Sequence, residues 1–505
     1  MRSRKAALNI ISAAVLQIVT IICGFIVPRL IISNYGSAVN GVMSSISQFL
    51  GYIALAEAGV GGVVRAALYS PLANNDNVRL SGIIKATERF FRVIAIVFIG
   101  YALIIAASFP LLQDSGMDWS LTFSLVLIIA MSTFVEYYFG ITNLVLLHAD
   151  QKLYITSTLR IITAVLHLLL VYVLIRLGRS VHTLRFFSAL VFMIRPFVLR
   201  IYVRKRYRID QHCQPDNNAL KQKWDGLGQH IAYFLHSHTD VVVLTLFTNF
   251  IEVSVYSVHY LVASGIQKIT MIFTSGFEAA FGNMLAKQET KALNRTFRIY
   301  ELISSSVTII LFTTAGLLIN PFITLYTRGV TDADYHRGVF AYILLLAEAV
   351  YCIRQPYHSI IIAAGHFRQT NKYAFLEAGI NICLSIILVI RYGLLGVAIA
   401  TLVAVTYRTA FCAVYLQRNI LYRSAKAFLV RQIVTIANSA LIVITVRFSF
   451  QITSIQSYKT WCITGALVMV IACAITLLFD LVFYRKDVSE THIIIKNLLS
   501  SIKAS

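Results

Sequence analysis

Fourteen stretches of this chain are apolar for long enough to cross a lipid bilayer. They run near 7–32, 40–68, 90–112, 119–147, 153–177, 181–203, 228–249, 253–285, 299–325, 337–364, 372–390, 393–417, 430–448 and 460–484. Inside hydrocarbon every backbone donor and acceptor must be satisfied by the chain itself, so such stretches fold as helices. The expected fold class is an all-α polytopic membrane protein. The bulk composition agrees: 58% of the 505 residues are hydrophobic, 13% are charged, and the mean hydropathy is +0.74.

The formal net charge of +22 is large enough to raise nucleic acid as a partner in a soluble protein. Here the excess falls in alternate short loops. One set holds Arg2, Arg4 and Lys5, then Arg79, Lys85 and Arg89, then Lys152, then Arg204 to Lys223, and so on to Lys503. The intervening loops hold only Arg179, Arg328, Arg337, Arg391 and Lys459. By the positive-inside rule this alternation requires an even number of spans and places both termini in the cytoplasm. The expected location is the cytoplasmic membrane, with no nucleic-acid partner. The apolar N-terminal run is too long for a secretory h-region and reads as the first span. The seven cysteines show no C-x-x-C spacing, and the histidines complete no ligand pattern, so neither a metal nor another cofactor is expected.

The polar segment Arg204 to Gly228 divides the spans six and six, leaving two at the C-terminal end. PRLIISNYGSAVNGVMSSISQFLGYIALAEAG resembles LTLFTNFIEVSVYSVHYLVASGIQKITMIFTSG, and ADQKLYITSTLRIITAVLHLLLVYVLIRLG resembles RQTNKYAFLEAGINICLSIILVIRYG, at nearly one offset. Six helices return a chain to its starting side, so the repeats are parallel and related by a pseudo-two-fold axis along the membrane normal. The expected organisation is an N-terminal lobe (1–204), a cytoplasmic linker (205–227), a C-terminal lobe (228–420) and an extra helix pair with a tail (421–505).

Basic residues sit inside the spans: Lys268, Arg354, Arg160, Arg195 and Arg408. Each costs about 2.5–3.5 kcal/mol near a helix centre, so five facing lipid would cost roughly 10–15 kcal/mol. A wet interior that accepts an anion removes that cost. Lys268 and Arg354 are the deepest and are expected to face a central cavity, while Arg65 and Arg195 lie within snorkelling reach of a helix end. Helix 2 shows a small and polar stripe of Asn40, Ser44, Ser47, Gly51, Ala54, Ala58, Gly62 and Arg65, which suits a cavity face and tight helix packing equally. Helix 8 carries the richest polar stripe, with Tyr256, Tyr260, Ser264, Gln267, Lys268 and Glu278. The candidate cargo contacts are therefore Lys268, Arg354, Arg160, Arg195, Arg408, Arg65, Tyr260 and Gln267.

Four groups are candidates for ion coupling: Asp240, His236, Glu136 and Glu348. Asp240 is near mid-membrane and four residues from His236, and a buried carboxyl can carry a proton. The bland reading is a hydrogen bond or ion pair to another helix. Glu136, Arg160, Glu377 and Arg408 can likewise neutralise one another across helices. Pro356 and Pro196 bend the helices beside Arg354 and Arg195. No phosphate-binding loop and no catalytic constellation is present, so no enzymatic activity is expected.

The segments NYGSAVNGVMSSISQF, AEAGVGGVVRAALY, HADQKLYI and HTDVVVLTLF resemble the bacterial Wzx-type polysaccharide flippases of the MATE/MOP superfamily. The resemblance spans essentially the whole chain. It implies a transporter that flips undecaprenyl-diphosphate-linked oligosaccharide repeat units by alternating access for surface polysaccharide biosynthesis. It also implies a cationic cavity, coupling to an ion gradient, and the bilayer, a polysaccharide polymerase and glycosyltransferases as partners. In related lipid II flippases two extra C-terminal helices form a groove for the lipid tail, and helices 13 and 14 are expected to do so here. The alternatives are a drug or cation antiporter of the same superfamily and a membrane polysaccharide polymerase. Helix 1 has no Asp or Glu, which disfavours the first, and the outer loops are too short for the second.

Overall fold

The computed structural model describes residues 2–57, 60–112, 118–210, 212–220, 227–274, 277–424, 426–450 and 455–493. Among them there is no strand. The fourteen expected spans all fall on helices, and twelve helical segments are long and apolar enough to cross a membrane.

The chain forms two compact units. Unit 1 comprises Met1–Ser257 with Val330–Ala333, and unit 2 comprises Val258–Gly329 with Asp334–Ser505. Unit 1 contains α1 (Arg2–Tyr35), α2 (Ser37–Gly51), α3 (Ala54–Glu57), α4 (Val60–Asn74), α5 (Asn77–Leu112), α6 (Trp119–Val135), α7 (Ile141–Ala149), α8 (Leu153–Arg176), α9 (Val181–Arg206) and α10 (Leu227–Phe247). α11 (Phe250–Thr274) begins in unit 1 and ends in unit 2. Unit 2 continues with α12 (Glu278–Ala286), α13 (Thr290–Tyr326), α14 (Gly338–Ala363), α15 (Phe367–Tyr392), α16 (Leu394–Asn419), α17 (Lys426–Ser449) and α18 (Tyr458–Phe483).

Two expected spans are interrupted. The run 40–68 breaks after Gly51, where Tyr52 and Ile53 form a turn, and is divided over α2, α3 and α4. The run 253–285 is divided between α11 and α12. Small residues in α2 also permit close packing: a Cβ at Gly41 would lie 1.7 Å from the Phe250 carbonyl oxygen. Ser45 and Thr245 share a hydrogen bond of 2.7 Å, and Asn40 donates to Ser254 over 2.9 Å. Of the expected stripe, Asn40 thus serves helix packing, together with Gly41 and Ser45, which lie outside the stripe.

A π-helical turn, Glu136–Gly140, joins α6 to α7. It carries Gly140 against α9, where a Cβ would be 2.9 Å from Pro196. The α15–α16 hairpin turns on Gly393, whose φ of +53° an L side chain rarely adopts. Outside the spans, Asp150 ties three segments of unit 1 together, accepting from Lys152 (2.7 Å), Tyr207 (2.5 Å) and Lys5 (3.5 Å). Burial would raise its pKa. The hydrogen bonds from Lys152 and Tyr207 and the charges of Lys152 and Lys5 outweigh that, and hold the carboxyl below its ordinary range.

Candidate functional site

Unit 2 contains a groove of about 1420 Å³ walled by α13, α14 and α17. Along α17 it extends from Gln432 to Phe450, about 27 Å at the helical rise, close to the thickness of a bilayer's hydrocarbon. Ile309, Phe312, Leu346, Ile353, Ile436 and Ile444 dominate its wall, with isolated polar groups such as Thr313, Asn320 and Ser439 between them. Asn320 donates to the Tyr342 hydroxyl over 2.9 Å, so that polar pair is satisfied within the wall. Exposed Arg447 lies at one end and forms no ion pair among the described residues. The volume exceeds the roughly 300–1,000 Å³ of a drug-sized pocket, and the shape suits an elongated apolar occupant.

The deep arginines of unit 2 are paired. Arg354 on α14 bonds Glu377 on α15 at 2.6 Å and lies 4.5 Å over the Tyr351 ring. Arg408 on α16 approaches the other oxygen of Glu377 at 3.9 Å and donates to the Thr370 carbonyl at 3.0 Å. One carboxylate therefore holds two of the arginines expected at the cargo. A second pair joins Arg431 on α17 to Glu301 on α13 at 2.5 Å, and Tyr357 donates to the same carboxylate. Asp480 on α18 accepts from Ser306 over 2.7 Å. Beyond it, Asp487 and Glu490 bond Arg298 and Arg295. These bonds fasten the α17–α18 pair and the helical residues 485–493 along α13. Lys268, by contrast, is exposed on α11 beside Ile269 and Ile272, with no hydrogen bond or ion pair among the described residues. Tyr260 and Gln267 are half-buried on the same helix, and Glu348 is buried in α14.

Unit 1 brings together Glu136, Arg160 and Arg195, which line one cleft with Gly140, Thr156 and Pro196. Arg195 donates to the Thr163 hydroxyl over 2.5 Å and stacks 4.7 Å from the Phe192 ring. Neither arginine forms an ion pair with Glu136, and the Arg160 side chain makes no hydrogen bond among the described residues. Farther along α9, Arg185 donates to the Met43 sulfur, and His167 shares a hydrogen bond of 3.1 Å with Ser188. Arg65 on α4 bonds His148 at 2.8 Å. Asp240 is buried and accepts from the Tyr256 hydroxyl over 2.9 Å. The side chains of His236 and Glu278 lie outside the described residues, as does Ala58 of the small-residue stripe. Among the described residues no three His, Cys, Asp or Glu side chains gather as metal ligands.

Sequence reasoning missed Arg185, Glu301, Arg431 and Arg447, each close enough to a span's end to pass for an interfacial residue. Only the partner geometry distinguishes them from snorkelling charges.

No protein-family model and no curated protein matches the sequence. Solved structures do. The lipid II flippase MurJ in an inward closed conformation superposes with a TM-score of 0.71 at 15% identity, covering 95% of this chain and 99% of that one. An inward-facing multidrug resistance MATE transporter of the MOP superfamily gives 0.62 at 13% identity, covering 82% of this chain and 98% of its own. A mutant of the Vibrio cholerae MATE transporter VcmN gives 0.59 at 14% identity, over 84% of this chain and 98% of its own. The fold is the one that these solved transporter structures share. At these identities the likeness fixes the architecture, a multi-pass helical membrane protein, and no particular cargo.

Proposed function

We propose that the protein is a transporter that flips an undecaprenyl-diphosphate-linked oligosaccharide across the cytoplasmic membrane by alternating access. The groove of about 1420 Å³ carries this reading, because a long apolar trough of bilayer length is a seat for a polyprenyl tail. The greater share of this chain covered by the lipid II flippase, 95% against 82% for the MATE transporter, favours the same reading. The excess is of the size of the α17–α18 pair, and α17 forms one wall of the groove. Lys268 and Arg447 offer the anionic headgroup positive charge that no described carboxylate of unit 2 takes up. Arg354 and Arg408 act one step removed, holding α14, α15 and α16 together through Glu377.

The test fills the trough. Ala349→Trp with Ser439→Trp places two large rings in the groove wall, and surface polysaccharide is assayed in cells that depend on this protein. Export is expected to fall at least tenfold at normal protein level, with lipid-linked repeat units stranded in the inner leaflet. Full export by the double variant overturns the reading. Normal polysaccharide with lost resistance to a lipophilic cation would instead identify a drug antiporter.

A further inference from the structure

The groove of unit 2 has two unlike ends. At one of them its three walls are fastened together. Glu301 on α13 and Arg431 on α17 pair at 2.5 Å, and Tyr357 on α14 donates to the same carboxylate. All three residues are buried. Tyr357 also packs edge-to-face against Phe297 and Phe428, with ring centroids 5.5 Å from each. The groove lining begins beyond them, at Thr308, Ile353 and Gln432. The charges of Glu301 and Arg431 cancel, so this end is closed and has no charge to spare.

The directions of the walls fix what lies at the other end. α14 runs antiparallel to α13, since Glu301 meets Tyr357 and Asn320 meets Tyr342. α17 runs parallel to α13: Arg431 meets Glu301, and Ile442 and Val446 share an apolar cluster with Ile309 and Leu317. Arg447 lies about 24 Å beyond Arg431 at the helical rise, which brings it to the level of Asn320 and Tyr342. It is the only charged side chain among the described lining residues. The Tyr342 hydroxyl accepts from Asn320, which leaves its own proton to donate. A guanidinium beside a phenolic O–H and a carboxamide suits phosphate oxygens. The connections at this end hold Arg328, Arg337 and Lys459, against Lys287, Lys291, Arg295, Arg418, Arg423 and Lys426 at the closed end. By the positive-inside rule the Arg447 end faces outward.

We propose that the groove holds its lipid in one orientation. The anionic phosphate head lies at the outer end among Arg447, Tyr342 and Asn320, and the tail runs toward the Glu301–Arg431 closure. A lipid held in this way belongs to the outer leaflet, so the groove retains the flipped product and not the lipid awaiting transport. The inference rests on the reading of the groove as a seat for a polyprenyl tail, and its test separates the two.

The probe is hexadecyl phosphate carrying a photoreactive diazirine at the far end of its chain, added to the purified full chain in detergent. Hexadecanol with the same group is the uncharged control. Cross-linked peptides are mapped by mass spectrometry. The phosphate probe is expected to label α17 near Gln432 and Thr435 and α14 near Ile353, and the alcohol to label the groove along its length. Arg447→Gln should weaken binding of the phosphate probe at least tenfold and spread its label as the alcohol's is spread. Arg447→Lys should keep the wild-type pattern. Arg447 is exposed and forms no ion pair among the described residues, so both variants are expected to fold. Phosphate-probe label confined to residues 443–450, or equal affinity in Arg447→Gln, would overturn the orientation and leave the groove a lipid seat. Absence of groove label from both probes would instead overturn the tail-seat reading, and the orientation with it.

Discussion

The two units hold the deep arginines of their spans differently: buried in unit 2, half-buried or exposed in unit 1. In unit 2 the deep guanidinium groups are spoken for: Arg354 and Arg408 share Glu377, and Arg431 has Glu301. In unit 1, Arg160 has no partner among the described residues, Arg195 has a hydroxyl and Arg185 a thioether. A paired buried charge costs much to break, because removing one member strands the other in a low dielectric. An exposed one such as Arg160 keeps its solvation and contributes little to folding. The difference locates the ion-paired charges of unit 2 on α13 to α17.

The strongest way to break this comparison is Glu377→Gln, which strands two cations at once. Stability is expected to fall by about 3–5 kcal/mol, read as a lowered unfolding midpoint and reduced membrane abundance. Replacing the whole triad with apolar residues, Glu377→Leu with Arg354→Met and Arg408→Met, should recover most of that loss. A loss below about 1 kcal/mol for the single variant would mean that the triad is not structural. Glu301→Gln should cost somewhat less, about 2–3 kcal/mol, because Arg431 also stacks 4.4 Å over the Tyr484 ring.

Asp150 offers a smaller, pH-dependent contrast, since in unit 1 it is a single carboxylate surrounded by donors. Its depressed pKa means that its contribution is fully present above the ordinary carboxylate range, about pH 4. That contribution is lost as the pH falls through the lowered folded value. Asp150→Asn should lower stability by about 1 kcal/mol at neutral pH and flatten the acid limb of the unfolding curve. An unchanged acid limb would show that the Lys5, Lys152 and Tyr207 bonds do not persist in solution.

Much of the architecture was legible because hydrocarbon leaves the backbone few options. Apolar length alone located the helical course of all fourteen runs, and the charged residues inside them were visible by contrast. Pairing was not legible. Arg354 and Arg160 look alike in sequence, each a lone cation in an apolar run, yet one meets Glu377 from a helix 23 residues away and the other meets no described carboxylate. The partner of Arg431 lies on α13, too far along the chain for any local pattern to reveal. The break after Gly51 was hidden for a similar reason: its glycines and alanines serve a helix, a packing face and a turn equally well. The groove was foreshadowed only through the family resemblance, since its walls come from three helices whose apolar faces read as ordinary lipid contacts.

The finest discrimination comes from Arg185. If the arginines of unit 1 contribute little to folding, neutralising one that lies away from the Glu136 cleft should hardly disturb it. Arg185→Met removes a charge that donates to the Met43 sulfur, a weak acceptor, and returns an apolar side chain of comparable length. The expected change is below about 1 kcal/mol in either direction, far from the cost at Glu377. The adjacent His167–Ser188 bond should survive, because its atoms belong to other residues. A loss of about 3 kcal/mol or more, by the same unfolding measurement, would show that Arg185 has a structural anionic partner and that the two units do not differ as described.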